Sequence, residues 1–542
     1  MSSTLEKTSS FLPDAIDLSH HLSTLAKNRV QSPLKGLQKY YGKEGMLSLA
    51  GGLPHPSYFP FDEVKANALV ANTFSADASS SSSKGALSWI WKLFSTPSKE
   101  NTMPISIPKY PETPEDVNLS VALQYGLANG LPQLQKIVNE FSKTVYKPAY
   151  ANFATIIHAG NTDAWNKTLM SLCNPGEGIL TSEWTYPSAI ASMKPFGINP
   201  VPIKMDCQGM SSTGLREVLS SWDAEARGMP RPHVMYIVPV GQNPTGATML
   251  AQRKKEIYNI CVEYDVIIVE DDPYYFLQEG PYVHPAQRAS SVDRTIPSDE
   301  KYLNSLAPSF LAFDYQGRVV RLDTFSKTIA PGSRLGWFTC HPTFAEKFER
   351  QAETSTQAPC GFGQSLITEL LINWQAKGYL RWLKGLGAQY TQRRDFFLDC
   401  ILDKFHVEIA PATQNTRFPG SDIYVLSEKT ATSWYHNEKS VRQTLVSFVP
   451  PSSGMFVWLS LHFDSHPKFK EFGQESLEMQ FWTALADAGL LVGPGIMFSA
   501  SQLEAPDSAP GHLRISFSNA EFEDLKKAID IFAVVLKEFY RK

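Results

Sequence analysis

Five short apolar runs, at residues 155–158, 178–181, 234–238, 266–269 and 319–322, constrain the fold of this chain more than any other feature. Each is rich in β-branched residues and gives way to turn residues or an amphipathic stretch. Strands buried on both faces read as continuous apolar runs, so the pattern predicts an α/β fold in which a mainly parallel sheet is sandwiched by helices. Past residue 361 the texture turns to long helices as far as 405; 455–459 and 513–517 then read as strands and 521–540 as a closing amphipathic helix. These predict a smaller α+β domain. The expected division is an amino-terminal arm with part of the small domain over 1–60, a large domain over 61–405, and the small domain over 406–542.

Loop-rich insertions decorate this plan at about 75–111, 280–310 and 410–449. The first opens with a serine run, read as a flexible surface segment, and carries Trp89 and Trp91, read as tucked back on their own domain. Composition narrows the function classes. With 50 Lys+Arg against 54 Asp+Glu the net charge is −4, and 43% of the 542 residues are hydrophobic. Such a chain is neither disordered nor built to neutralise nucleic-acid phosphates. Six scattered cysteines, with no Cys-x-x-Cys pair, argue against a disulfide scaffold or a zinc site, and no metal is expected. No run reaches bilayer-spanning length, and the first residues resemble neither a signal nor a transit peptide. A cytoplasmic location without membrane attachment is the expectation.

Chemistry concentrates after the strands. Thr324, Ser326, Lys327 and Arg334 follow one of them, placing a lysine beside two hydroxyls and a guanidinium, the makings of a phosphate clamp. A lysine beside such a clamp suggests a Schiff base to pyridoxal phosphate. That cofactor needs an acid to keep its ring nitrogen protonated, and Asp271 or Asp272 stands at the end of another strand, although either could instead cap the next turn. The Tyr275 hydroxyl is placed to reach the cofactor's phenolate oxygen. Asn243, in Asn243-Pro244-Thr245-Gly246, sits where its amide could reach the ring, yet an isolated match of this kind is more often a plain turn. The loop 159–163 joins a strand to a helix, whose first N–H groups suit phosphate, and Tyr186 offers a ring to stack or to bury.

In chain order, Leu123-Gln124-Tyr125-Gly126, the 159–163 loop, Tyr186, Asn243 to Gly246, Asp271 to Leu277, Ser326-Lys327 with Arg334, and Leu513 to Phe517 resemble the class I pyridoxal-phosphate aminotransferases. The nearer likeness is to the fungal aromatic amino acid and 2-aminoadipate branch, which includes kynurenine aminotransferase; Leu49-Ala50-Gly51-Gly52-Leu53-Pro54 shares it. The resemblance implies the aspartate aminotransferase-like fold (fold type I) and a homodimer with shared active sites. It implies Lys327 as Schiff-base lysine and proton shuttle, Asp272 on the pyridine nitrogen, chosen by its spacing to Pro273 and Tyr275, and Asn243 with Tyr275 on the phenolate oxygen. Tyr186 would stack on the ring. Asn161, Thr162, Thr324, Ser326 and Arg334 would hold phosphate, with Tyr125 reaching the phosphate of a second subunit. Arg514 would clamp the substrate carboxylate, and Gly51 and Gly52 would admit the substrate close to the backbone.

The activity implied is ping-pong transfer of the amino group of Phe, Tyr, Trp or kynurenine to 2-oxoglutarate. The sequence departs from the family pattern at Thr324, often Ser, and at Lys35, where animal members carry Arg; a point charge replaces a fork and weakens the case for the dicarboxylic 2-aminoadipate. Three rival readings are a pyridoxal-phosphate lyase or synthase of the same fold, a cofactor-sensing transcription regulator, and a catalytically dead scaffold that docks partners through the Trp89–Trp91 insertion. The regulator needs an amino-terminal DNA-binding domain, and the short mixed-charge stretch before Gly51 offers none.

Overall fold

The computed structural model describes residues 12–36, 40, 43–47, 49–75, 101–288, 297–411, 421–429, 442–501 and 511–541. The serine run, Trp89 and Trp91 lie outside them. The strands are, in chain order, β1 (Glu63–Leu69), β2 (Thr102–Pro108), β3 (Ala154–His158), β4 (Gly178–Ser182), β5 (Asn199–Ile203), β6 (Met205–Asp206), β7 (Gly209–Met210), β8 (Val234–Ile237), β9 (Ile267–Asp271), β10 (Val319–Thr324), β11 (Gly336–Cys340), β12 (His406–Pro411), β13 (Asp422–Ser427), β14 (Val446–Phe448), β15 (Phe456–Leu461), β16 (Gly493–Pro494) and β17 (Gly511–Ser516). Seven of them form the central sheet, in the order β3-β11-β10-β9-β8-β4-β5. Only β11 runs antiparallel to its neighbours, so the other six strands share one direction. All five apolar runs fall in this sheet; β5 and β11 join it without a comparable signal.

Side chains alternate across the sheet as the pleat requires. Ile268, Met235, Ile237 and Val319 enter one core beneath the helix Pro132–Val145 and the first half of the helix Gly361–Lys404. Ile267, Val269, Tyr236, Val320 and Leu322 enter the other, covered by Asn161–Leu172 and Pro342–Glu353. A second sheet, β12-β13-β14-β15-β17-β16, is antiparallel throughout and packs against the helices Phe469–Asp487 and Phe522–Arg541. This is the fold class expected from the sequence.

Leu18, Leu22 and Ala26 of the amino-terminal arm are buried against the seven-stranded sheet, and Ser23 N donates to Ser171 O. Along the helix Gly361–Lys404, Ile367 to Leu383 lie in the core under the seven-stranded sheet whereas Phe397, Leu398 and Ile401 lie in the core of the second sheet, so this helix serves both. β1, just before the first insertion, pairs β2 near its end, from Glu63↔Pro108 to Leu69↔Thr102. Between the sheets, Gly241 and Gly454 touch backbone to backbone, where a Cβ on Gly241 would lie 2.6 Å from the Gly454 Cα. Glycine is required there by contact and by φ of 55° and 88°.

Candidate active site

The carboxyl ends of β3, β4, β8, β9 and β10 deliver their polar residues to one place, as expected of parallel sheets. β9 ends on Asp271, which is buried. Its Oδ1 accepts from Asn161 Nδ2 at 2.6 Å and its Oδ2 from the Tyr236 hydroxyl at 2.6 Å. Asn161 opens the twelve-residue helix Asn161–Leu172 and also donates to Leu322 O at 3.1 Å. Burial pushes the Asp271 carboxyl above the usual range, against the pull of those two donors and of the Arg321 charge. A cation brought to Asp271 would favour the ionised form. Tyr274 follows on the same side, edge-on to Phe456, with the Tyr186 and Arg514 side chains near enough to perturb its ionisation.

Arg514 enters from β17, in the other sheet. Its Nη1 donates to Asn243 Oδ1 at 2.9 Å, and the guanidinium lies 4.6 Å from the ring centroids of both Phe456 and Phe498. Its Nε is buried without a hydrogen-bond partner, and no carboxylate pairs with it among the described residues. Burial lowers its pKa. A guanidinium beside two rings and without a counter-ion among the described residues suits a carboxylate.

The third part lies after β10. Thr324 Oγ1 donates to Ser326 Oγ at 2.8 Å, Arg334 Nη1 lies 3.4 Å from the same oxygen, and Arg334 Nη2 donates to Ala159 O at 3.1 Å. Gly160, at φ 96°, lets that guanidinium lie against the loop, since a Cβ would stand 2.3 Å from Arg334 Nη2. Hydroxyls, guanidinium and the start of the helix Asn161–Leu172, with Thr162 exposed on its first turn, thus meet at one point. Lys327, half-buried beside them, makes no hydrogen bond or ion pair among the described residues, and burial lowers its pKa.

Two expected residues are not in this cluster. Asp272 and Tyr275 turn to the opposite face, where Asp272 Oδ2 accepts from Arg321 Nη1 at 3.0 Å and Tyr275 lies 4.7 Å from the Arg321 guanidinium. The reason is the pleat: Asp271 shares a face with Val269 and Tyr236, and one residue later the chain points the other way. Asp271 and Tyr274, not Asp272 and Tyr275, face the cluster. The contacts of Asp271 with Tyr236 and Asn161 are what distinguishes the two aspartates. Tyr236, Phe456 and Phe498 were not expected at the site. Gly51, Gly52 and Tyr125 are exposed and lie outside the cluster within one chain; Lys35 Nζ donates to Gly126 O, next to Tyr125.

Residues 112–418 match the family described as aminotransferase class I and II. The chain belongs to this family. Over 97% of its length the aminotransferase is 34% identical to an aromatic amino acid aminotransferase of Schizosaccharomyces pombe, covering 98% of that protein. It is 31% identical to an L-tyrosine:2-oxoglutarate aminotransferase of Serpula lacrymans, with 92% of this chain and 87% of that one aligned. The crystal structure of aminotransferase Aro8 from Candida albicans superposes with a TM-score of 0.80 at 33% identity, covering 98% of this chain and 100% of that one.

Membership makes pyridoxal phosphate the cofactor and amino and oxo acids the substrates. The residues present fit that cofactor: a buried carboxyl with two fixed donors, a clamp for phosphate, and an unpartnered amine meet at one strand edge. No helix among the described residues is long and apolar enough to cross a membrane.

Proposed function

We propose that this aminotransferase moves the amino group of an aromatic amino acid to 2-oxoglutarate, with Lys327, Asp271, Asn243, Tyr274 and Arg514 as its working residues. The observation that carries the reading is Arg514, a half-buried guanidinium with Asn243 on one nitrogen, two aromatic rings 4.6 Å away and no carboxylate partner among the described residues. It supplies a fork for an α-carboxylate beside apolar surface. The aromatic preference is supported by the names of the relatives from fission yeast and Serpula lacrymans.

Bound pyridoxal phosphate supplies the electron sink that makes the substrate Cα proton removable and carries the amino group between half-reactions. Asp271, fixed by Asn161 and Tyr236, would hold a proton at the ring nitrogen. Ser326, Thr324, Arg334 and the helix start at Asn161 and Thr162 would take the phosphate. Tyr274 and Asn243 would donate toward the phenolate oxygen, and Tyr186 would cover the ring. Lys327 would take the Cα proton and return it on the far side of the transfer; a lysine whose pKa is depressed by burial suits that role.

The site would be completed by a second copy of the chain. Tyr125 is 65% exposed, and Leu47, Leu49 and Tyr58 are 91%, 97% and 83% exposed in the neighbouring amino-terminal segment. Apolar residues this exposed fit a subunit interface that brings Tyr125 to the other copy's phosphate and Gly51 and Gly52 to its substrate. Cys173, Cys261, Cys340, Cys360 and Cys400 form no disulfide, which supports a reducing, cytosolic location. Visible absorbance of the purified protein tests the reading. A cofactor band that shifts on adding phenylalanine or tyrosine, followed by glutamate formation from 2-oxoglutarate, is expected; elimination products without glutamate would replace transamination by a lyase.

A further inference from the structure

At the opposite, amino-terminal edge of the central sheet, Glu177 precedes β4, His233 precedes β8, Asp265 precedes β9 and Arg318 precedes β10. His20 and His21 of the amino-terminal segment come down on this row. The contacts form a chain: Glu177 Oε2 to His233 Nε2 at 3.3 Å, His233 Nδ1 to His21 Nδ1 at 3.0 Å, and His21 Nε2 to Asp265 Oδ1 at 3.0 Å. His20 Nε2 lies 2.8 Å from Asp265 Oδ2, and Arg318 Nη1 donates to Asp265 Oδ1 at 2.6 Å.

Glu177 accepts from Asn174 N and Nδ2, which fixes it and, through it, His233 against the His21 ring. His21 is 3% exposed, and its Nε2 and the Nε2 of His20 converge on the two oxygens of the Asp265 carboxylate.

We infer that His20, His21 and Asp265 form a site for one divalent cation of the zinc class. One ligand atom from each lies within 4.8 Å of the others, and two imidazoles with one carboxylate are a donor set for zinc with a position left for water. The surroundings are those of a metal site: His21 is oriented through its other nitrogen by His233, itself held by Glu177, while Arg318 occupies one carboxylate oxygen and leaves Oδ2 toward His20. Bound metal would fasten the amino-terminal segment, whose Leu18 and Leu22 are buried in the core, to the starts of β8 and β9. It would act on stability, from the sheet edge opposite the active site.

The test uses the full-length holoenzyme, stripped with chelator and titrated with Zn²⁺ by calorimetry. One zinc per chain and a rise in Tm are expected, by the linkage of ligand binding to folding. His20→Ala, at an exposed position, should weaken zinc by ten-fold or more and abolish the rise in Tm, as should Asp265→Asn, with transamination unchanged in the His20→Ala protein. Absence of one-per-chain binding, or equal affinity in the native protein and both variants, would overturn the inference. So would histidine NMR in which the His20 and His21 ring resonances are undisturbed by Zn²⁺.

Discussion

The two faces of the central sheet meet at Asp271 and Asp272, and the contrast between these neighbours separates a working site from a closed one. On the far face, Arg321 joins Glu270, Asp272 and Asp323 at 3.2, 3.0 and 2.9 Å, lies 3.8 Å from the Tyr146 ring, and is fully buried. Lys254, 3.9 Å from Glu270, adds a second buried cation. Opposite charges there satisfy one another and leave no cation to offer a ligand. On the near face Lys327 and Arg514 have no carboxylate partners among the described residues, and Asp271 is held by neutral donors alone. Charges that a fold buries for stability are matched from within, whereas those it keeps for chemistry are left for a ligand to match.

The comparison is broken most severely at Lys327. Lys327→Ala should lower kcat by roughly 10⁴-fold, the upper range for a positioned acid–base group, with circular dichroism unchanged. Arg321→Leu should act on the other face alone, destabilising the protein by about 3–5 kcal/mol because three buried carboxyls lose their common partner. A fall in Tm measured by calorimetry checks this. Asp271→Asn should cost about 10²–10³ in kcat, the scale of losing one preorganised electrostatic partner, while Asp272→Asn keeps kcat of the same order. Equal losses in the two variants would erase the distinction between the faces. Arg514→Lys should raise KM for the amino acid about tenfold, near 1.4 kcal/mol, as a fork becomes a point charge.

The smallest effect is on pH dependence. Burial and the Glu270 charge raise Asp272 from 3.8 to about 7, and burial raises Asp323 to about 6. For a carboxyl raised on folding, the folded state binds the proton more tightly than the unfolded chain. Its stabilisation is therefore complete below pH 3.8 and lost as pH rises toward 7. Asp272→Asn removes this slope, so its Tm relative to the native protein should climb between pH 4 and 7.

Much of the site is legible because its residues occur in local motifs with local consequences. Lys327, Ser326 and Arg334 sit within one turn-rich stretch after an apolar run, and Asn161 follows another, so strand-end placement alone brings them together. Asp271 and Asp272 are not separable in this way. Both follow a strand buried on both faces, where no alternation of polar and apolar residues reveals which way the carboxyl points. The Asp272–Tyr275 spacing equals that of Asp271–Tyr274, and only contact with Tyr236 and Asn161 breaks the tie.

By itself the sequence determined the layered α/β plan, the strand ends that carry chemistry, and the lysine, arginine and asparagine motifs, because each is written within a few consecutive residues. Tertiary structure alone decided which aspartate faces the site, which aromatic rings enclose Arg514, and that His20 and His21 meet Asp265 some 245 residues away. These depend on pleat parity and on contacts between distant segments, and neither leaves a mark in local order.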